Sequence, residues 1–122
     1  MGKKLEVKYK IWFEYRGTPI IGEGGAKLLE EVNKTGSIRK AAEKLGMSYR
    51  KALDYIRRLN NLLEEELVKT RKGGKDGGGA ELTPAGKALL CTYKKVKNEI
   101  EKTLKRTSCT LDVYAEATYS IG

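Results

Sequence analysis

The sequence has no histidine and no glutamine, and only two prolines, two cysteines, one tryptophan and one phenylalanine. Without histidine it lacks the side chain most often used as a general base and as a metal ligand. Cys91 and Cys109 are too few and too far apart for a four-ligand zinc site. They do not make a secreted disulfide framework either, so a reducing cytoplasm is the expected location. No metal and no cofactor is expected. No run reaches the ~18–20 apolar residues of a membrane span, so no membrane partner is expected. Met1-Gly2-Lys3-Lys4 leads into an alternating stretch rather than the continuous apolar run of a leader. No paired carboxylates sit in a glycine-framed pocket and no motif surrounds either cysteine, so an enzyme is not expected. The Lys- and Glu-rich, Gln-free usage is that of heat-adapted prokaryotic proteins.

What is present is basic charge on a chain of one-domain size. The 122 residues carry 25 Lys and Arg against 16 Asp and Glu, a net charge of +9. A chain this long can bury a core without a metal or disulfide staple. The cationic excess favours a polyanionic partner, nucleic acid before an anionic membrane.

Residues 5–16 alternate, with Leu5, Val7, Tyr9, Ile11, Phe13 and Tyr15 on one side, which predicts a strand with one buried face. Gly17-Thr18-Pro19 then turns the chain. From Gly25 the period becomes helical, with Ala26, Leu28, Leu29 and Val32 in a stripe closed at Gly36. Ser37 caps a second helix with its stripe at Ile38, Ala41, Ala42 and Leu45, stopped by Gly46. Ser48 caps a third, with Ala52, Ile56, Leu59 and Leu63 inward. Leu67–Arg71 and Ala80–Thr83 read as short strands around the glycine-rich run 72–79. That run is no nucleotide-phosphate loop, because Gly74-Lys75 is followed by Asp76. Thr83-Pro84 opens a long helix to about Arg106, with Ala85, Leu89, Tyr93, Val96, Ile100 and Leu104 in its stripe and Cys91 as a packed thiol. Residues 107–122 are expected as a tail or an extra strand, appended to a domain of residues 1–106.

Two short helices joined at a tight glycine turn are a helix-turn-helix, and the strand–glycine loop–strand after them is a wing. The expected fold is therefore mainly α with a small β wing: a winged helix-turn-helix with an N-terminal strand and a long C-terminal helix. In the third helix Arg50, Asp54 and Arg57 lie opposite the apolar stripe, flanked by Lys51 and Arg58. Side chains near the start of such a helix reach base edges. Tyr49, Arg50, Lys51 and Asp54 are thus the candidate readers of double-stranded DNA. Arg50 has the fork for guanine. Asp54 either accepts from cytosine or holds Arg50 by an i, i+4 pair, and Tyr49 stacks on sugar or touches a thymine methyl. Ser37 and Ser48 place helix N-termini near phosphate, with Arg39 and Lys40 beside them, and Lys72 and Lys75 lie on the wing. Twenty-odd residues of final helix span roughly 30 Å. A single domain of this size leaves part of the stripe uncovered, so a second copy is expected against Leu28, Leu89, Tyr93, Val96, Ile100 and Leu104.

The runs Thr35-Gly36-Ser37-Ile38-Arg39-Lys40-Ala41-Ala42 and Gly46-Met47-Ser48-Tyr49-Arg50-Lys51-Ala52-Leu53-Asp54-Tyr55-Ile56 are specific. So are Asn60, the wing 73–83 and the pattern Leu-Thr-x-x-Gly at Leu82 to Gly86. Through them, residues 5–105 resemble the N-terminal DNA-binding domain of ModE-type molybdate-responsive transcription regulators, in the wider LysR-like winged-helix class. The resemblance implies a sequence-specific regulator binding operator DNA as a homodimer, with contacts at Ser37, Ser48, Tyr49, Arg50, Asp54 and Lys75. Full-length members carry a C-terminal oxyanion-binding region that these 122 residues do not match, so molybdate sensing is not implied and the effector stays open. The alternative is a winged helix that docks another protein, with incidental cations. An RNA-binding protein is a third reading, disfavoured because most tyrosines fall on or near buried stripes.

Overall fold

The structure, a computed structural model, describes residues 2–72, 79–107 and 109–111. Its centre is three helices whose ends are set by residues at their own termini. α1 (Glu23–Thr35) stops at Gly36, which takes a left-handed φ of 69° and returns its N–H to the Val32 carbonyl. Ser37 then accepts from the Lys40 amide, opening α2 (Ile38–Leu45), and Gly46 ends it at φ 70°. Ser48 accepts from the Lys51 amide to open α3 (Tyr49–Leu63). Each serine satisfies one of the amides that a helix start leaves without a partner. Ala41 and Ala42 are fully buried, and their small side chains let α2 and α3 approach closely. Leu28, Leu29 and Val32 of α1 and Ile56 and Leu59 of α3 complete this core. Each such side chain contributes about 1.5–3 kcal/mol relative to exposure.

The wing follows. β4 (Val68–Arg71) pairs antiparallel with β5 (Gly79–Leu82), placing Thr70 opposite Ala80 and Arg71 opposite Gly79. Val68, Ala80 and Leu82 bury into the core, so the base of the wing is fixed to the helices. Asn60 fastens the same corner by accepting from the Leu67 amide at 2.9 Å. The backbone of Ala80 donates to the Gly36 carbonyl at 2.9 Å, which ties β5 to the turn just ahead of α2.

α4 (Pro84–Arg106) opens on Thr83, whose hydroxyl accepts from the Gly86 amide, with Pro84 in the first turn. Its buried residues are Gly86, Leu90 and Tyr93. Leu90 thus joins the core, while Ala85 and Leu89 of the expected stripe are only half-buried. Cys91 is exposed rather than packed, because it lies on the side of α4 away from Leu90 and Tyr93.

The N-terminal expectation is corrected most. Residues 5–16 do not form one strand. β1 (Lys3–Leu5) pairs with β6 (Cys109–Leu111), and β2 (Phe13–Tyr15) pairs with β3 (Thr18–Ile21) around an Arg16-Gly17 turn. Thr18 and Pro19 therefore belong to a strand, not to the turn. Between β1 and β2 the chain has no ladder partner. It lies along α4 instead, where Tyr93 donates to the Ile11 carbonyl at 3.0 Å and Tyr9 donates to Glu101 at 2.7 Å. Ile11 and Phe13 pack against the core, but Leu5, Val7, Tyr9 and Tyr15 stay exposed. Alternation reported an extended segment with one apolar side; it could not report that this chain covers so little of that side. Of the stretch expected as a tail or an extra strand, β6 takes up Cys109–Leu111, and 112–122 lies outside the described residues.

Candidate nucleic-acid interface

The face opposite the buried stripe of α3 is open. Tyr49, Arg50, Lys51, Asp54, Arg57 and Arg58 are all exposed, while Ala52, Ile56 and Leu59 are inside. Arg39 and Lys40 on α2, Ser48, and Lys72 at the end of the wing strand are exposed as well, and Ser37 is half-buried. Lys75, in the wing tip, lies outside the described residues. α3 is held in place from behind. The Tyr55 hydroxyl donates to the Ile20 carbonyl at 3.0 Å, and burial pushes that phenol up to about 12 from 10.0.

The expected residues do not all converge. Ser37, Arg39 and Tyr49 come together with Thr70, Arg71 and Gly79 around one small cleft between the helix-turn-helix and the base of the wing. The Arg39 guanidinium sits over the Tyr49 ring, 4.3 Å from its centroid. Arg50, Lys51, Asp54, Arg57 and Arg58 lie outside that cleft on the free length of α3. The i, i+4 pair between Arg50 and Asp54 is not formed, and Arg50 has no carboxylate partner among the described residues. Sequence reasoning missed Lys69 and Arg71, both exposed on β4. Their signal was available: in a strand running into a glycine loop, the charged positions beyond Val68 face away from the core.

Charge on the molecule is sorted. Among the described residues the ion pairs are Lys8–Glu6, Lys27–Glu23, Lys34–Glu30, Lys34–Glu31, Lys44–Glu31, Lys94–Glu30, Lys97–Glu23 and Lys102–Glu99. Nearly all involve α1 or α4. Lys97 and Lys27 hold the Glu23 carboxyl below its usual value of 4.5, and the Lys94 hydrogen bond does the same for Glu30. None of these pairs takes up Arg39, Lys40, Arg50, Lys51, Arg57, Arg58, Lys69 or Arg71. On the body this pairing is partial, since Lys3, Lys4, Lys10, Lys87, Lys95 and Lys105 join none of these pairs; on the helix-turn-helix and wing only Lys44 is paired among the described residues.

The candidate surface for a second copy also changes. Leu28 and Tyr93 are 1% and 3% exposed, consumed by the chain's own core. Leu89 packs half-buried against that core. Val96 is exposed, and Ile100 and Leu104 are half-buried. The N-terminal segment adds to them: Leu5 and Val7 share a groove with Leu104, and Val7, Tyr9 and Trp12 share another with Tyr93, Lys97 and Glu101. Among the described residues no group of three or more His, Cys, Asp or Glu side chains is placed to hold a metal, and no helix is long and apolar enough to cross a membrane.

Known proteins share this helix-turn-helix and wing. Residues 25–87 match the family described as bacterial regulatory helix-turn-helix protein, lysR family. The molybdenum-pterin-binding protein MopB of Rhodobacter capsulatus is 39% identical over 93 residues, which are 76% of this chain and 34% of that protein. The transcriptional regulator ModE of Yersinia pestis is 43% identical over 88 residues, 70% of this chain and 34% of the relative. The DNA-binding transcriptional dual regulator ModE of Escherichia coli (strain K12) is 44% identical over 66 residues, 54% of this chain and 25% of the relative. The chain thus spans about a third or less of the length of these curated relatives. The matched segment runs from the first turns of α1 through the helix-turn-helix and the wing into α4, covering half of the sequence, and the chain belongs to the lysR family of bacterial regulatory helix-turn-helix proteins.

Proposed function

We propose that this protein regulates transcription from the cytoplasm by binding promoter or operator DNA as a homodimer. The observation that carries the reading is the row of exposed cations along α2, α3 and β4 (Arg39, Lys40, Arg50, Lys51, Arg57, Arg58, Lys69 and Arg71) that join no ion pair among the described residues. α3 lies in the major groove. Arg50 forks to guanine O6 and N7, and Asp54 accepts from cytosine N4. Lys40, Lys51, Arg57 and Arg58 meet phosphate, as do Lys72 and Lys75 where the wing crosses the backbone. Residues 1–106 act as the DNA-binding domain, with 107–122 as an appendage joined to it through β1 and β6. The names of the relatives speak of molybdenum and pterin; those ligands are not carried to this chain, because it spans only about a third of those proteins' length. A second copy packs on Val96, Ile100 and Leu104 and on the apolar N-terminal segment, setting two α3 helices about one DNA turn apart.

The test is selection of bound sequences from a random duplex pool. Enrichment of an inverted repeat supports both specificity and two-fold assembly. A pool that stays random removes the operator, and a solution mass of one chain removes the dimer.

A further inference from the structure

Two arginines line one cleft at the junction of helix-turn-helix and wing, and neither has a carboxylate partner among the described residues. Arg39 comes from the first turn of α2. Its guanidinium rests over the ring of Tyr49 at the start of α3. Arg71 ends β4 and lies across Gly79: a Cβ on that glycine would stand 3.0 Å from the Arg71 Nη2. Both line one cleft of about 100 Å³ with Ser37, Tyr49 and Thr70.

The arrangement is fixed by backbone. Ala80 donates to the Gly36 carbonyl, so β5 is pinned one residue ahead of the α2 cap. Arg71 pairs with Gly79, the residue before Ala80, so the ladder delivers its side chain to the α2 N-terminus. The Ser37 hydroxyl accepts from the Lys40 amide, leaving the earlier amides of α2 without an intrahelical partner. Two like charges in one cleft repel one another unless an anion lies between them, and planar guanidinium forks match phosphate geometry. The aromatic face of Tyr49, expected to touch a base or sugar, is already taken by Arg39.

We propose that Arg39 and Arg71 clamp a single phosphate of the DNA backbone between the helix-turn-helix and the wing, and that Tyr49 is a positioning residue that steadies the Arg39 guanidinium rather than a reader of bases. The clamp rests on the DNA-binding reading above and assigns a partner group within it. It fixes how far the wing sits from the groove that α3 enters.

The experiment measures binding of the full chain to its selected duplex and to a scrambled duplex across a salt series. Arg39→Ala and Arg71→Ala should each weaken both duplexes alike, about tenfold. The double variant Arg39→Ala/Arg71→Ala should reduce the slope of log affinity against log salt by about one, the share of a single phosphate. Tyr49→Phe keeps the ring and should bind as the wild type does. Tyr49→Leu should match Arg39→Ala, and the double variant Arg39→Ala/Tyr49→Leu should be no weaker than Arg39→Ala alone. All three side chains are exposed, so the fold does not depend on them, and unchanged helical circular dichroism checks this. A Tyr49→Leu protein that changes its preference between the two duplexes makes Tyr49 a base reader and overturns the positioning role. Effects of Arg39→Ala and Tyr49→Leu that multiply overturn it too. Wild-type affinity in both arginine variants overturns the clamp while leaving DNA binding intact. A wild-type protein that binds neither duplex overturns the DNA reading and the clamp with it.

Discussion

In the proposed DNA complex Arg50 is the side chain expected to discriminate between sites, since it is exposed near the start of α3 and no carboxylate among the described residues restrains it. Arg50→Ala should cost about 1–3 kcal/mol on the preferred duplex and less on a scrambled one, narrowing the ratio. Lys75→Ala should weaken both equally. Equal affinities and an unchanged ratio in the Arg50 variant would show that this face does not read bases. Behind that face Tyr55 carries a separate, titratable contribution to holding α3. Its phenol is buried against the Ile20 carbonyl and its folded value is about 12, above the ordinary 10.0. A raised value means the folded state holds the proton more tightly. The contribution is therefore complete below pH 10 and is lost as pH rises from 10 towards 12. Unfolding free energy measured across that window should fall in the wild type. Tyr55→Phe should be about 1 kcal/mol less stable at neutral pH and should show a shallower alkaline decline. Parallel curves would mean that Tyr55 is not the titrating group. Gly25 has its place for the same reason, since a Cβ there would run into the Tyr55 hydroxyl.

Between elements, the start of α4 comes close against the backbone ahead of the wing. A Cβ on Gly86 would collide with the carbonyl oxygen of Leu67, whose oxygen also accepts from the Thr83 amide at 2.9 Å. Gly86→Ala gains about 1 kcal/mol of helix propensity and meets main chain that cannot swing aside, a cost of about 1–3 kcal/mol or more. The expected outcome is a lower urea midpoint with an unchanged m value. A stabilised variant would show that the turn at Leu67 yields. The Leu-Thr-x-x-Gly pattern was legible as a motif, but only the packed structure gives the glycine its reason. The same division runs through the fold. The caps at Ser37, Ser48 and Thr83 and the stops at Gly36 and Gly46 could be read from the sequence, since each acts within three or four residues of itself. The strand at 5–16 could not. Ladder pairing of β1 with residues 109–111 is a contact more than a hundred residues long, and no local period encodes it. On the site, the outward face of α3 followed from helical geometry alone. The meeting of Arg39, Tyr49 and Arg71 needed the register of the wing. At the far end, α4 runs 23 residues, about 34 Å, beyond what the core covers. In the proposed dimer Val96→Asp should give a monomer in sedimentation without loss of helix, because Val96 is exposed on its own chain; a wild-type chain that already sediments as a monomer removes the dimer.

Net charge is a poor guide to partner unless its distribution is known, and here the distribution makes a prediction that the total does not. Lys27 and Lys51 carry the same charge, and replacing either by Gln lowers the net charge from +9 to +8. Lys27 is paired with Glu23, which also holds Lys97, on the α1–α4 side of the molecule. Exposed pairs of this kind contribute about 0–1 kcal/mol to stability, so Lys27→Gln should leave the fold intact. Lys51 has no carboxylate among its pairs and lies at the start of α3. Each phosphate neutralised releases counterions and contributes about −0.9 to the slope of log affinity against log salt. Lys51→Gln should therefore flatten that slope by about one, whereas Lys27→Gln should leave it unchanged. If attraction to DNA were a diffuse response to total charge, the two variants would shift together. Their separation would mean that position decides, with Lys51 at the start of α3 in contact with phosphate and Lys27, held by Glu23, away from it.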